Sequence, residues 1–214
     1  MATTTTTTTP SPPPPPPSSS SPQTATSFPF PREYSFPPFF TRQPNLAIHH
    51  AQLTKWSALV LSYARHHRLF RLVVSSAAES ELFHNRAINR RLSPADVREV
   101  LDFMRKDGRA EFVRGNAGAA DGGAAAAAAA AGDVVLLYWR KPEEWAALVE
   151  AYVEETAQKG SVLTVYELTE GENTRGTEFH GMDNQVLMKA LNILVKQGKA
   201  QIFGSEDSLG VKFF

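Results

Sequence analysis

The chain says nearly the same thing twice. Trp56, Leu59, Val60 and Tyr63 recur as Trp145, Leu148, Val149 and Tyr152, identical residue types at the helical spacing i, i+3, i+4, i+7, about ninety residues further on. A second stripe follows each: Val97, Val100, Leu101, Met104 and Gly108 align with Leu187, Ala190, Leu191, Leu194 and Gly198. Two copies of one small domain are the simplest expectation. Burying one large side chain stabilises by about 1.5 to 3 kcal/mol, so cores this small depend on their aromatic residues. Trp56 and Trp145, with Tyr63 and Tyr152, are therefore expected to be structural anchors rather than a cofactor site.

The punctuation of each copy gives its element order. In the first, a helix is predicted over about 47–67 and a short strand over 69–74. A short helix after Glu79 should hold Leu82 and Phe83. Ser93, Pro94 and Asp96 form a capping-box variant that opens a further helix, and Gly108 closes it. Segments 110–113 and 134–139 read as a hairpin. The second copy repeats this with a helix from Pro142, a strand and short helix over 162–168, an Asp183-capped helix ending at Gly198, and a hairpin of 200–203 with 211–214. Helix, strand, helix, helix and two-stranded hairpin is the order of a winged helix. The expected class is α+β, a tandem repeat of two winged-helix domains with a disordered N-terminal extension.

That extension, residues 1–33, runs through threonines, the prolines Pro12 to Pro17 and a serine cluster with almost no charge, a composition with little apolar surface to offset ordering entropy. Residues 34–45 form a Pro-Pro-Phe-Phe segment, 46–141 the first domain and 142–214 the second. The alanine run 124–131, bounded by glycines, is too short to hold an isolated helix in water and reads as a mobile wing tip over 115–132. The 214 residues contain no cysteine, so disulfides and thiolate metal sites play no part. No apolar run approaches the ~20 residues of a membrane helix.

Winged helices commonly bind DNA, but the helix before each wing is a poor phosphate partner. Residues 93–107 set Arg98, Arg105 and Lys106 against Asp96, Glu99, Asp102 and Asp107, and the second such helix has only Lys189 and Lys196. Overall neutrality hides an asymmetry. Up to Pro142 there are 16 Lys/Arg and 10 Asp/Glu, a net of +6, and from Glu143 onward 6 and 12, a net of −6. The cations Arg65, Arg68 and Arg71, and those at Arg86, Arg90 and Arg91, could meet acidic protein, phosphoinositide or nucleic acid, or simply be solvated. No histidine falls in a metal-ligand spacing, and Glu178 with His180 beside Gly181 provides neither nucleophile nor oxyanion site. No catalytic residue, metal or cofactor is expected.

The most pointed motif precedes the first repeat. In Ser35-Phe36-Pro37-Pro38-Phe39-Phe40-Thr41 the prolines fix an extended backbone, so Phe36, Phe39 and Phe40 could enter a partner's pockets with little further ordering cost. Alternatively they fold back onto the chain's own core as a staple. In the docking case, truncating Phe39 and Phe40 should leave thermal stability nearly unchanged.

Together with Gln43-Pro44-Asn45, this string resembles the N-terminal signature of the vacuolar protein sorting-associated protein 25 family, the small subunit of the endosomal ESCRT-II complex. Trp139-Arg140-Lys141-Pro142-Glu143-Glu144-Trp145, Tyr166-Glu167-Leu168, Glu178-Phe179-His180-Gly181-Met182-Asp183 and the terminal Gly210-Val211-Lys212-Phe213-Phe214 extend the resemblance across both repeats. It implies a non-enzymatic, cytoplasmic subunit recruited to endosomal membrane for sorting ubiquitinated cargo to multivesicular bodies. It also implies two copies per complex, docked to two larger winged-helix subunits through Phe36, Pro37, Pro38, Phe39 and Phe40. The second domain would recruit an ESCRT-III subunit, with membrane contact indirect and no nucleic acid bound. The long extension and alanine-rich wing depart from the family pattern. The competing expectation is a nucleic-acid-binding winged-helix protein.

Overall fold

The computed structural model describes residues 27–113, 132–204 and 209–214. The expected mobile wing tip and most of the expected disordered extension lie outside the described residues. The first repeat runs α1 (Leu46–His66), β1 (Arg71–Val73), α2 (Val74–Ala77), a two-residue ladder of β2 (His84–Asn85) with β3 (Arg90–Arg91), α3 (Pro94–Lys106), β4 (Ala110–Val113) and β5 (Val134–Leu137). The second runs α4 (Pro142–Glu155), β6 (Val162–Thr164), α5 (Val165–Glu170), α6 (Asn184–Lys196), β7 (Ala200–Phe203) and β8 (Gly210–Phe213). Both antiparallel sheets have the same order, β1-β5-β4 and β6-β8-β7, so two winged helices stand in tandem.

Local chemistry sets the helix ends. Ser93 Oγ accepts from the Asp96 amide at 3.1 Å while its hydroxyl donates to the Asp96 carboxylate at 2.6 Å. Asp183 accepts from the Gln185 amide at 2.8 Å. Gly108 and Gly198 take φ of 69° and 73°, the left-handed conformation that lets Arg109 and Lys199 turn back and donate to Met104 and Leu194. The short helix expected after Glu79 is corrected: α2 begins straight after β1. Val73, at its cap, offers no side-chain acceptor, so no sequence signal marks its start. Residues Ala78 to Phe83 are turns, and Leu82 and Phe83 are buried without being helical.

Each repeat has its own core, centred on Trp56 in one and Trp145 in the other, both about 1% exposed. Tyr63 and Tyr152 pack against these cores from a half-buried position. The cores meet at β5. Its residues are buried along the whole strand, the mark of a strand covered on both faces. Val135 and Leu137 enter the first core, whereas Leu136 and Tyr138 enter the second. Phe70 and Trp139, 4.2 Å apart between ring centroids, continue the second core toward Trp145. The second domain is thus seated on the outer face of the first domain's sheet.

Candidate docking site

Two short 3-10 turns, Arg32–Ser35 and Pro37–Phe40, carry the chain into α1. The second divides the aromatic motif between two environments. Phe39 and Phe40 are buried in the first core: Phe39 stacks on Trp56 at 4.4 Å and Phe40 meets the same indole edge-on at 5.4 Å. Phe36 is 59% exposed, and Pro37 and Pro38 are exposed beside it. The expectation that Phe39 and Phe40 contribute little to stability is therefore corrected. They form the staple, and only Phe36, Pro37 and Pro38 face outward.

Polar contacts fix the backbone between these sets. Gln52, buried on α1, donates to the carbonyls of Phe39 at 2.7 Å and Thr41 at 2.9 Å. Trp56 Nε1 donates to Phe39 at 3.0 Å, and Gln43 reaches back to Pro38 at 3.0 Å. Upstream, Asn85 donates to the Tyr34 carbonyl at 2.7 Å, while the Tyr34 hydroxyl donates to that of Glu81. Burial, with the nearby Glu81 carboxylate, pushes the Tyr34 phenol well above its ordinary range. Burial and a hydrogen bond to Glu81 push Tyr63 up to about 12. Glu99 accepts from His49 at 2.9 Å and Arg42 at 3.1 Å, which together hold its carboxyl below the usual range. Packing also begins earlier than the expected boundary at residue 34, since Phe28 and Phe30 lie on the first core and Phe30 stacks on Tyr34 at 4.0 Å. Sequence reasoning missed Gln52 as a clamp. Its one signal was a polar amide one helical turn before Trp56 on a buried face.

The Arg65–Arg71 cluster is turned inward to the chain's own acidic half. Arg65 donates to Glu178 at 2.9 Å, Arg140 donates to the same carboxylate at 2.5 Å, and Arg68 reaches the His180 carbonyl at 3.3 Å. Arg71 pairs with Asp183, the cap of α6. The hydrogen bond from Arg140, aided by Arg65, holds Glu178 below the ordinary carboxylate range. Across the same joint Lys189 and the Tyr138 hydroxyl both donate to Glu111. Burial opposes ionisation of Glu111, yet these bonds hold its carboxyl low. Arg65, Arg71 and Arg140 of the basic half thus meet Glu178 and Asp183 of the acidic half across the interface, while Lys189 and Glu111 pair in the opposite sense. His180 is likewise tied up, its Nδ1 lying 2.9 Å from the buried Thr174 hydroxyl. Among the described residues no group of three or more His, Cys, Asp or Glu could hold a metal ion, and no helix is long and apolar enough to cross a membrane.

Comparison with known proteins places this geometry among relatives. The family described as ESCRT-II complex subunit matches residues 33–183. Vacuolar protein-sorting-associated protein 25 of Danio rerio is 40% identical over 188 residues, covering 88% of this chain and 99% of that protein. The Homo sapiens protein of the same name is 40% identical over 190 residues, covering 89% and 99%. The crystal structure of subunit VPS25 of the endosomal trafficking complex ESCRT-II superposes with a TM-score of 0.72 at 26% identity, covering 86% of this chain and 98% of that one. A chain of the endosomal complex ESCRT-II, described as VPS22/VPS25/VPS36, gives 0.70 at 26% identity with the same coverage.

Proposed function

This chain belongs to the vacuolar protein-sorting-associated protein 25 family of ESCRT-II complex subunits, and on that premise we propose that it is a non-enzymatic adaptor sorting ubiquitinated membrane cargo to multivesicular bodies. Two copies join two larger winged-helix subunits, of the kind named VPS22 and VPS36 in the related complex. Each copy docks through the outward half of its aromatic motif. Phe36, Pro37 and Pro38 form the ridge that enters a partner's pocket, while Phe39 and Phe40 hold that ridge on the body. The observation that carries this reading is the pairing of an exposed Phe36 with a backbone already clamped by Gln52, Trp56 and Gln43. Most of the ordering cost of binding is thereby met in the free chain.

The second domain faces away as the recruiting end, taking an ESCRT-III subunit. The protein works in the cytoplasm at the endosomal membrane, which it meets through its partners. Nucleic-acid binding has no comparable support, because Arg65, Arg68 and Arg71 are already engaged by the second domain. Co-purification of the full chain with the two larger subunits tests docking. Phe36→Ala and Pro37→Ala with Pro38→Ala should each release the subunits without loss of fold, and full retention by both variants would sink the claim.

A further inference from the structure

The ridge of Phe36, Pro37 and Pro38 does not stand alone on the surface. The ladder of β2 with β3 lies beside it, β3 packing against the turn Pro37–Phe40. In that ladder Asn85 pairs with Arg90 and His84 with Arg91, and directly opposed residues of an antiparallel pair project to the same face. Asn85 is buried and donates to the Tyr34 carbonyl at 2.7 Å, so its face is the one turned toward the docking segment. Arg90 shares that face and is exposed. Arg91 takes the other face, where it pairs with Glu79 at 2.9 Å.

The hairpin is braced from within. Asn85 Oδ1 accepts from the amides of Ala87 at 3.0 Å and Ile88 at 3.4 Å, Ile88 packs on the first core, and the Leu92 amide donates to the Phe83 carbonyl at 2.9 Å. Asn89 turns the chain at a φ of 50°, a left-handed conformation that asparagine adopts more readily than most residues. Charge around the ridge is one-sided. Glu33 is paired with Lys55, Glu79 with Arg91, and Glu99 with Arg42 and His49, while the Glu81 carboxylate accepts from the Tyr63 hydroxyl. Arg32, Arg86 and Arg90 are exposed and form no ion pair among the described residues. The acids beside the ridge are thus engaged, and cations remain open.

We propose that Arg90, with Arg86 on the same hairpin, reads carboxylates at the rim of the partner pocket that the ridge enters. The inference rests on docking through Phe36, Pro37 and Pro38 as given above and adds the chemistry of the partner surface: an apolar pocket bordered by Asp or Glu on the side that meets β3. A guanidinium meets a carboxylate through two parallel N–H···O bonds of fixed geometry, and the braced hairpin leaves little backbone to order on binding. The apolar ridge slows release, whereas the cations speed approach and fix which way round the segment enters. A lipid surface or a nucleic-acid backbone fits less well, because it calls for a broad field of cations. Here the hairpin is flanked instead by an apolar ridge and by the acids Glu33 and Glu79.

The test uses the full chain and the two larger subunits, with association and dissociation rates followed by interferometry over a salt series. Association of the parent chain should slow as salt rises. Arg86→Glu with Arg90→Glu should slow it about tenfold at low salt and flatten the salt dependence, with an unchanged melting temperature. Arg90→Gln should fall between the two. Phe36→Ala should instead speed dissociation and leave the salt dependence in place. A double variant with the rates and salt dependence of the parent would overturn the rim assignment and leave docking through the ridge standing. Failure of the unaltered chain to bind the subunits would sink docking and the rim together. The free chain is also mixed with phosphatidylserine vesicles and, separately, with a DNA duplex. Binding to either that is lost in the double variant, while subunit association keeps its parent rate, would give the hairpin to an anionic surface and overturn the proposal.

Discussion

The phenyl ring of Phe39 lies 7° from parallel with the indole of Trp56, and the Trp56 N–H donates to the Phe39 carbonyl. One tryptophan thus holds both side chain and backbone of the residue next to the outward prolines.

Truncation of a buried phenylalanine costs about 3–5 kcal/mol. Phe39→Ala with Phe40→Ala should therefore lower the melting temperature substantially, whereas Phe36→Ala should change stability by less than about 0.5 kcal/mol while losing partner binding. Thermal melts of the two variants side by side decide the matter. A double variant as stable as the parent would show that the staple does not hold the segment.

Gln52→Leu would remove one of two donors from each of the carbonyls of Phe39 and Thr41, leaving only Trp56 on the first and Gln43 on the second, at a net cost of about 0.5–1.5 kcal/mol for each hydrogen bond lost. The segment should then open locally ahead of global unfolding. Limited trypsin digestion should reveal this as faster cleavage after Arg42, with cleavage in the second domain unaffected. Equal cleavage rates in parent and variant would count against the clamp.

Glu178, held low chiefly by Arg140, makes a pH-dependent contribution of definite sign. A carboxylate depressed on folding stabilises fully above its unfolded pKa, about 4.3, and loses that contribution as pH falls through the lower folded value. Its side chain is 42% exposed, so screening limits the effect to below about 1 kcal/mol. The melting-temperature gap between the parent chain and Glu178→Gln should be constant near neutrality and shrink below about pH 4.3. A gap independent of pH would refute this role.

Leu136 is fully buried between β5 and the second domain. Leu136→Ala should cost about 2–5 kcal/mol, and calorimetry of the parent chain should show both domains melting in one transition. Two separate transitions in the parent would mean that the joint is weaker than its packing implies.

The helices and sheets were legible because apolar period and end-capping residues agree in them: the Trp56 and Trp145 stripes, Ser93 and Asp183 as caps, Gly108 and Gly198 as stops. Helix α2 was not, since Val73 and Val74 carry no capping signal and tertiary pairing of β1 with β5 sets its start. At the docking site composition correctly marked the aromatics but could not sort Phe36 from Phe39 and Phe40. The division depends on a 3-10 turn whose direction is fixed by Gln52, 13 residues beyond Phe39 in the next helix. The destination of Arg65, Arg68 and Arg71 was likewise hidden, because a charge cluster does not name its partner and this one lies more than a hundred residues away in the same chain.

Between the end of β5 at Leu137 and the start of α4 at Pro142 run only four residues, and one of them, Trp139, is wedged against both cores. No hinge fits there. The protein is therefore a strut: the span from the ridge at Phe36 to the far sheet at Phe203 runs through a buried strand and ion-paired loops, so its length is set by the fold and not by a tether.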